Sequence, residues 1–203
     1  MDAKDHKTTF PDSSKKNNCF DPFNDRLSRD IRNVLSEAFV EALVHLNREV
    51  YLEAAGKWDP ENLPSAYRTY IQDRLQRYRR VFKQIQENRL NNALTRALVI
   101  WNQGLFFEFH DHLEGIWQHS SGNERQALKG LIKAAGVYIH LEFNHQQAAE
   151  RLAVKSYNLI KQYSHCLVFI ANLNVLVEKL QNLDPLPPRL KNPGIVSAGV
   201  NDE

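Results

Sequence analysis

The prolines are spread unevenly: they stand at 11, 22, 60, 64, 185, 187, 188 and 193, which leaves 120 consecutive residues, 65–184, without one. Proline removes a backbone donor and clashes with the preceding turn, so a long proline-free stretch is what a series of helices requires. The stretch is rich in Ala, Leu, Gln, Arg and Lys, residues that lose little side-chain freedom in a helix. No run alternates apolar and polar residues in the way a half-buried strand would. The sequence therefore predicts an all-α protein, a bundle of about six to seven helices, with no internal repeat.

Helical periodicity places the elements. A first helix starts near Leu27 behind an Asn24 or Asp25 cap, aligns Ile31, Leu35, Ala38 and Ala42 on one stripe, and breaks near Asn47. A short piece then runs to Gly56. Further helices are predicted over about 65–86, 92–101, 105–118, 124–142, 146–163 and 165–180, with a bend or close packing point at Gly104. Residues 1–23 read as a disordered lead, 24–183 as one helical domain and 184–203 as an extended tail.

With 42% hydrophobic and 25% charged residues, the composition is that of a folded globular chain. A net charge of +2 is too small for a whole-chain polyelectrolyte role. Cys19 and Cys166 form no CxxC pair, so neither a disulfide framework nor a zinc ribbon is expected, and a reducing cytoplasm fits best. The lysine-bearing start lacks the apolar centre of a signal peptide. The uncharged stretch 164–177 is too short to span a bilayer and reads as a buried helix, so no membrane partner is expected.

Seven basic residues, Arg68, Arg74, Arg77, Arg79, Arg80, Lys83 and Arg89, lie between positions 68 and 89 with tyrosines interleaved. Arginines on phosphates and rings on bases would suit a nucleic acid. The tyrosines, however, fall mainly on the inward stripe, which favours a solvated basic face over a nucleic-acid partner.

Two segments carry the candidate chemistry. In GLFFEFHDHLEGIW, 104–117, His110 and Glu114 are i, i+4 neighbours, and Glu108, Asp111 and Glu114 descend the helix at intervals of three. Trp117 flanks them, while His112 points to another side and is not grouped with the site. In ALKGLIKAAGVYIHLE, 127–142, an apolar helix carries one polar stripe of Lys129, Lys133, Gly136 and His140. Buried polar groups need partners, and the acids and His110 are the natural ones for this stripe. Gly130 and Gly136 allow close helix contact.

Together these segments resemble the domain of unknown function 309 family, small bacterial and archaeal helical proteins with a signature similar to F-F-E-x-H-E-x-x-E-x-x-W followed by a Q-G-L-I-Q-x-A-A helix ending in His. The first motif reads Phe106, Phe107, Glu108, His110, Asp111, Glu114 and Trp117. The second reads Lys129, Gly130, Leu131, Ile132, Lys133, Ala134, Ala135 and His140. The likeness covers about residues 102–160. Asp111 stands where the family pattern has Glu, and Lys129 and Lys133 stand where it has glutamines. A lysine beside the acids can neutralise a site that a metal would occupy elsewhere. The resemblance implies an all-helical fold and no known activity.

Three readings of the polar cluster follow. It is a buried network that fixes helix register, or a small-molecule or divalent-metal site with His110, Glu114 and His140 as ligands, or an adjunct to a protein- or nucleic-acid-binding module built on helix 68–89. In a metal-dependent hydrolase, Asp111 or Glu114 would act as the base. The His-x-x-x-Glu spacing does not match the Glu-x-x-His of di-iron bundles. Exposed bundle faces are compatible with a homodimer.

Overall fold

The computed structural model describes residues 19–59 and 61–193. Among these residues there are eight α-helices and no strand: α1 (Arg26–His45), α2 (Glu49–Ala55), α3 (Ser65–Glu87), α4 (Ala93–Asn102), α5 (Phe106–His119), α6 (Gly122–Glu142), α7 (Gln146–Gln162) and α8 (Leu173–Gln181). The Asp25 carboxylate caps α1 by accepting the Ser28 N–H at 2.6 Å. α1 ends where Leu46 turns left-handed, at φ 50°, one residue before the predicted break.

α1, α2 and α3 meet through stacked rings. Phe39 lies 4.1 Å from Tyr78, and Tyr51 and Phe82 complete the group, all fully buried. α4, α5 and α6 meet around Trp101, whose ring stands edge-on to Phe109 and Tyr138. The two groups are parts of one continuous core. Gly104 makes the bend between α4 and α5 at φ +67°, where a Cβ would lie only 2.8 Å from Arg77 Nη1.

The last predicted helix is corrected. Residues 164–177 do not form one buried helix: a 3₁₀ turn spans Ser164–Cys166, α8 begins only at Leu173, and Val168 is exposed. The polar atoms of this stretch serve the chain that follows α8 instead. The Asn172 side chain bonds the Arg189 carbonyl and the Lys191 N–H, each at 2.9 Å, and the Ala171 N–H donates to the Lys191 carbonyl at 2.8 Å. An asparagine that pairs with distant backbone competes with the helix.

The segment 184–193 is thereby strapped to the bundle. Trp101 Nε1–H donates to the Pro188 carbonyl at 2.8 Å, Asn102 bonds both backbone groups of Leu190, and Leu190 is buried. At the other end, residues 1–18 lie outside the described residues. Phe20, within the expected lead, stacks on Tyr70 at 3.7 Å, and Phe23 packs on His140 at 5.0 Å.

Candidate functional site

α5 and α6 are joined by a two-residue turn and pack antiparallel, with Phe106 stacked on Tyr138 near one end and Arg125 lying 3.9 Å over the Trp117 ring near the other. Between them opens a cavity of about 490 Å³. α5 supplies Phe107, His110, Glu114 and Trp117. α6 supplies Lys129, Lys133, Gly136 and His140, together with Ile132 and Ile139. Leu152 of α7 adds to the wall, and Phe23 and Arg32 close it from the α1 side.

Of the eight residues singled out from the sequence, six line this cavity. The other two do not. Asp111 is turned to α1, where Ser36 Oγ–H donates to its Oδ2 at 2.5 Å. Glu108 is fully buried on the opposite side of α5, accepting the Tyr78 O–H at 2.7 Å and facing Arg74 Nη1 at 3.8 Å. The lysine stripe is therefore not its partner. Arg74, placed by sequence in a solvated basic face, is buried in this second cluster between Glu108 and Glu142. Burial alone would lower its pKa, but Glu108, Tyr70 and Glu142 outweigh that and hold the guanidinium firmly protonated. Tyr67 and Tyr78 are also buried, so the basic helix offers neither ring for base stacking.

Within the cavity, the His110 ring lies between two carboxylates, with Nδ1 3.3 Å from Asp111 Oδ1 and Nε2 3.7 Å from Glu114 Oε1. His110, Asp111 and Glu114 can each offer one ligand atom with all three atoms within 4.8 Å of one another. Among the described residues His140 belongs to no such group; its ring is stacked on Phe23. Burial pushes the His140 pKa down, with His145 and Arg151 adding to the effect. Burial also lowers Lys133, reinforced by Lys129 and Lys155. His140 Nδ1 and Trp117 Nε1 are buried without a hydrogen-bond partner.

Sequence reasoning missed Arg32, Phe23, Ser36, Arg74 and Tyr78 as partners of these groups. Arg74 carried a readable signal, since it falls between Ile71 and Tyr78 on the inward stripe of α3. Arg32 lies 3.8 Å over the Phe107 ring, a contact between residues of two helices far apart in sequence that periodicity does not reveal.

His112 stands apart from the cavity as expected. It is buried on α5, with Nε2 3.0 Å from the Ala93 carbonyl at the start of α4. Burial lowers its pKa, the bond to Ala93 opposes this, and Arg96 lowers it further. Both His112 and His140 are thus held neutral in the fold. Their contribution to stability is complete above the unfolded value of about 6.5 and is lost as pH falls toward the depressed folded values. The melting temperature is expected to fall between pH 7 and pH 5, and His112→Gln, which can still donate to Ala93, should flatten that fall. An unchanged slope in the variant would mean that His112 does not carry the dependence.

Fold and cavity define an all-helical protein with a mixed cationic and aromatic cavity between two antiparallel helices. Residues 94–152, which span nearly all of α4, the whole of α5 and α6 and the start of α7, match the family described as Domain of unknown function (DUF309), and the chain carries a DUF309 domain over that segment. No curated protein and no solved structure matches the chain.

Proposed function

We propose that the cavity between α5 and α6 binds a small organic anion. The observation that carries this reading is its charge: Arg32, Lys129 and Lys133 line the space against one carboxylate, Glu114. Neither lysine forms an ion pair among the described residues, and Lys129 and Lys155 both repel the charge on Lys133. A bound anion would relieve that repulsion. The aromatic and aliphatic walls suit an apolar body, and the unpartnered Trp117 Nε1–H can donate to a ligand oxygen.

Octanoate is a suitable first probe, followed by in vitro thermal titration with a panel of aryl and alkyl carboxylates and phosphates. At about 100 times its Kd a ligand raises stability by ~2.7 kcal/mol. Lys133→Gln should reduce that shift, and Glu114→Gln should enlarge it by removing the opposing charge. If no member of the panel raises the melting temperature of the folded parent, the reading fails.

A second reading rests on His110, Asp111 and Glu114 as ligands for a divalent ion, with the Ser36 hydroxyl orienting Asp111 as a supporting hydrogen bond. His140, expected to complete the set, stacks on Phe23 instead. Elemental analysis of protein purified without a histidine tag or chelator, alongside His110→Ala, tests this. Near-stoichiometric metal that disappears in the variant supports it, and Asp111 or Glu114 would then be the candidate base of a hydrolytic reaction. Metal-free protein whose melting is indifferent to zinc and manganese overturns it.

A further inference from the structure

Three lysines gather on the α6 side of the cavity. Phe106 stacked on Tyr138 and Trp117 lying under Arg125 fix the register of α5 against α6, which sets Lys133 level with His110 and Gly136 level with Phe107. Toward α7, Gly130 approaches Leu159 and Ile160 and Gly136 approaches Leu152, which sets Lys155 level with Lys133. Lys129 stands one helical turn before Lys133 on α6. Lys133 is half-buried and lines the cavity, whereas Lys129 and Lys155 are exposed. Among the described residues Lys133 forms no ion pair and no hydrogen bond, and its charged neighbours are the other two lysines. The acid in the cavity, Glu114, is level with Lys129 and faces the His110 ring.

An ammonium group in this position is disfavoured, first by burial and then by two like charges, so more of Lys133 is free amine at neutral pH than is true of an exposed lysine. A free amine beside the apolar walls of Ile132, Ile139 and Leu152 is a nucleophile for a carbonyl carbon. Resting on the anion reading above, we infer that Lys133 captures a 2-oxo acid as an imine, inside a cavity whose flanking cations hold the acid group. The amine nitrogen attacks the keto carbon, the C=O bonding pair moves to oxygen, and that oxygen leaves as water with the two amine protons. A C=N bond remains, and one proton from solvent turns it into an iminium, so the step needs no oxidant or reductant. Lys129 lies one turn to one side, and Arg32, over Phe107 at the level of Gly136, lies to the other, so a carboxylate next to the new bond meets positive charge on both sides.

The test is reductive trapping on the full chain at neutral pH, with cyanoborohydride to reduce an iminium and with 2-oxooctanoate and 2-octanone as probes. Peptide mass mapping of the parent should place one 2-oxooctanoate adduct on Lys133, at least about tenfold above Lys129 or Lys155, a selectivity well within what proximity in a bound complex supplies. The neutral 2-octanone should label Lys133 about tenfold less, the worth of one charge-assisted contact. Lys133→Arg, which keeps the charge and removes the nucleophile, should lose the adduct. Labelling spread evenly over the lysines, or none, while octanoate still raises the melting temperature, overturns the imine and leaves the anion reading standing. Equal labelling of Lys133 by the two ketones overturns the oxo acid as its ligand. No adduct on Lys133 together with no response to any organic anion brings both readings down. The map of the parent decides the matter even if the Lys133 variant fails to fold.

Discussion

Arg74→Met is expected to destabilise the protein by about 3–5 kcal/mol, the cost of leaving a buried carboxylate without its counter-charge. The Arg74 side chain is 6% exposed and that of Glu108 is 0% exposed, so water cannot replace the lost partner. Tyr78 would still donate to Glu108 Oε1, but one hydroxyl does not solvate a full charge. The pair is not closely bonded: it is 3.8 Å apart, and Arg74 Nε, Arg74 Nη1 and Glu108 Oε2 have no hydrogen-bond partner. Such a pair returns only part of its desolvation cost, so removing both members should hurt far less than removing one. Urea unfolding of Arg74→Met, Glu108→Leu and the double variant would measure the coupling. A loss below about 1 kcal/mol for Arg74→Met would show that the guanidinium contributes little as a counter-charge.

The same pair marks the limit of what was legible in the sequence. Within one helix, spacing fixes which residues share a face, and Ile31, Leu35, Ala38 and Ala42 are buried as their stripe requires. The proline-free stretch and its stripes likewise give the helices up to α7 within a few residues. Spacing does not say which neighbour a face meets. Glu108 shares α5 with His110 and Glu114, yet its partners come from α3, thirty residues or more earlier, and Asp111 is held by Ser36 from α1. The chain from Leu167 to Asn172 failed differently: its apolar composition suited a helix, while its backbone and Asn172 were claimed by residues 189–191. That competition depends on the strap being close by, which local propensity does not encode.

The second large effect is expected at the contact between α6 and α7, where two glycines on one helix should respond in opposite directions. A Cβ at Gly130 would meet Ile160 Cγ1 at 3.0 Å, the Ile160 backbone nitrogen at 3.2 Å and Leu159 Cβ at 3.2 Å. Backbone cannot move aside as a side-chain tip can, and Ser156 Oγ–H also bonds the Gly130 carbonyl at 2.8 Å across the same contact. Gly130→Val therefore has to push α7 away, lose that bond and strain the core, at a cost of about 3 kcal/mol. At Gly136 the obstacle is Leu152 Cδ1, the mobile end of a side chain, 3.3 Å away. Gly136→Ala should be neutral or stabilising by up to about 1 kcal/mol, the gain in helix propensity, while weakening any ligand that lies along that wall. Thermal and urea unfolding of the two variants measure the contrast directly. Equal losses at both positions would mean that glycine at 136 also serves packing.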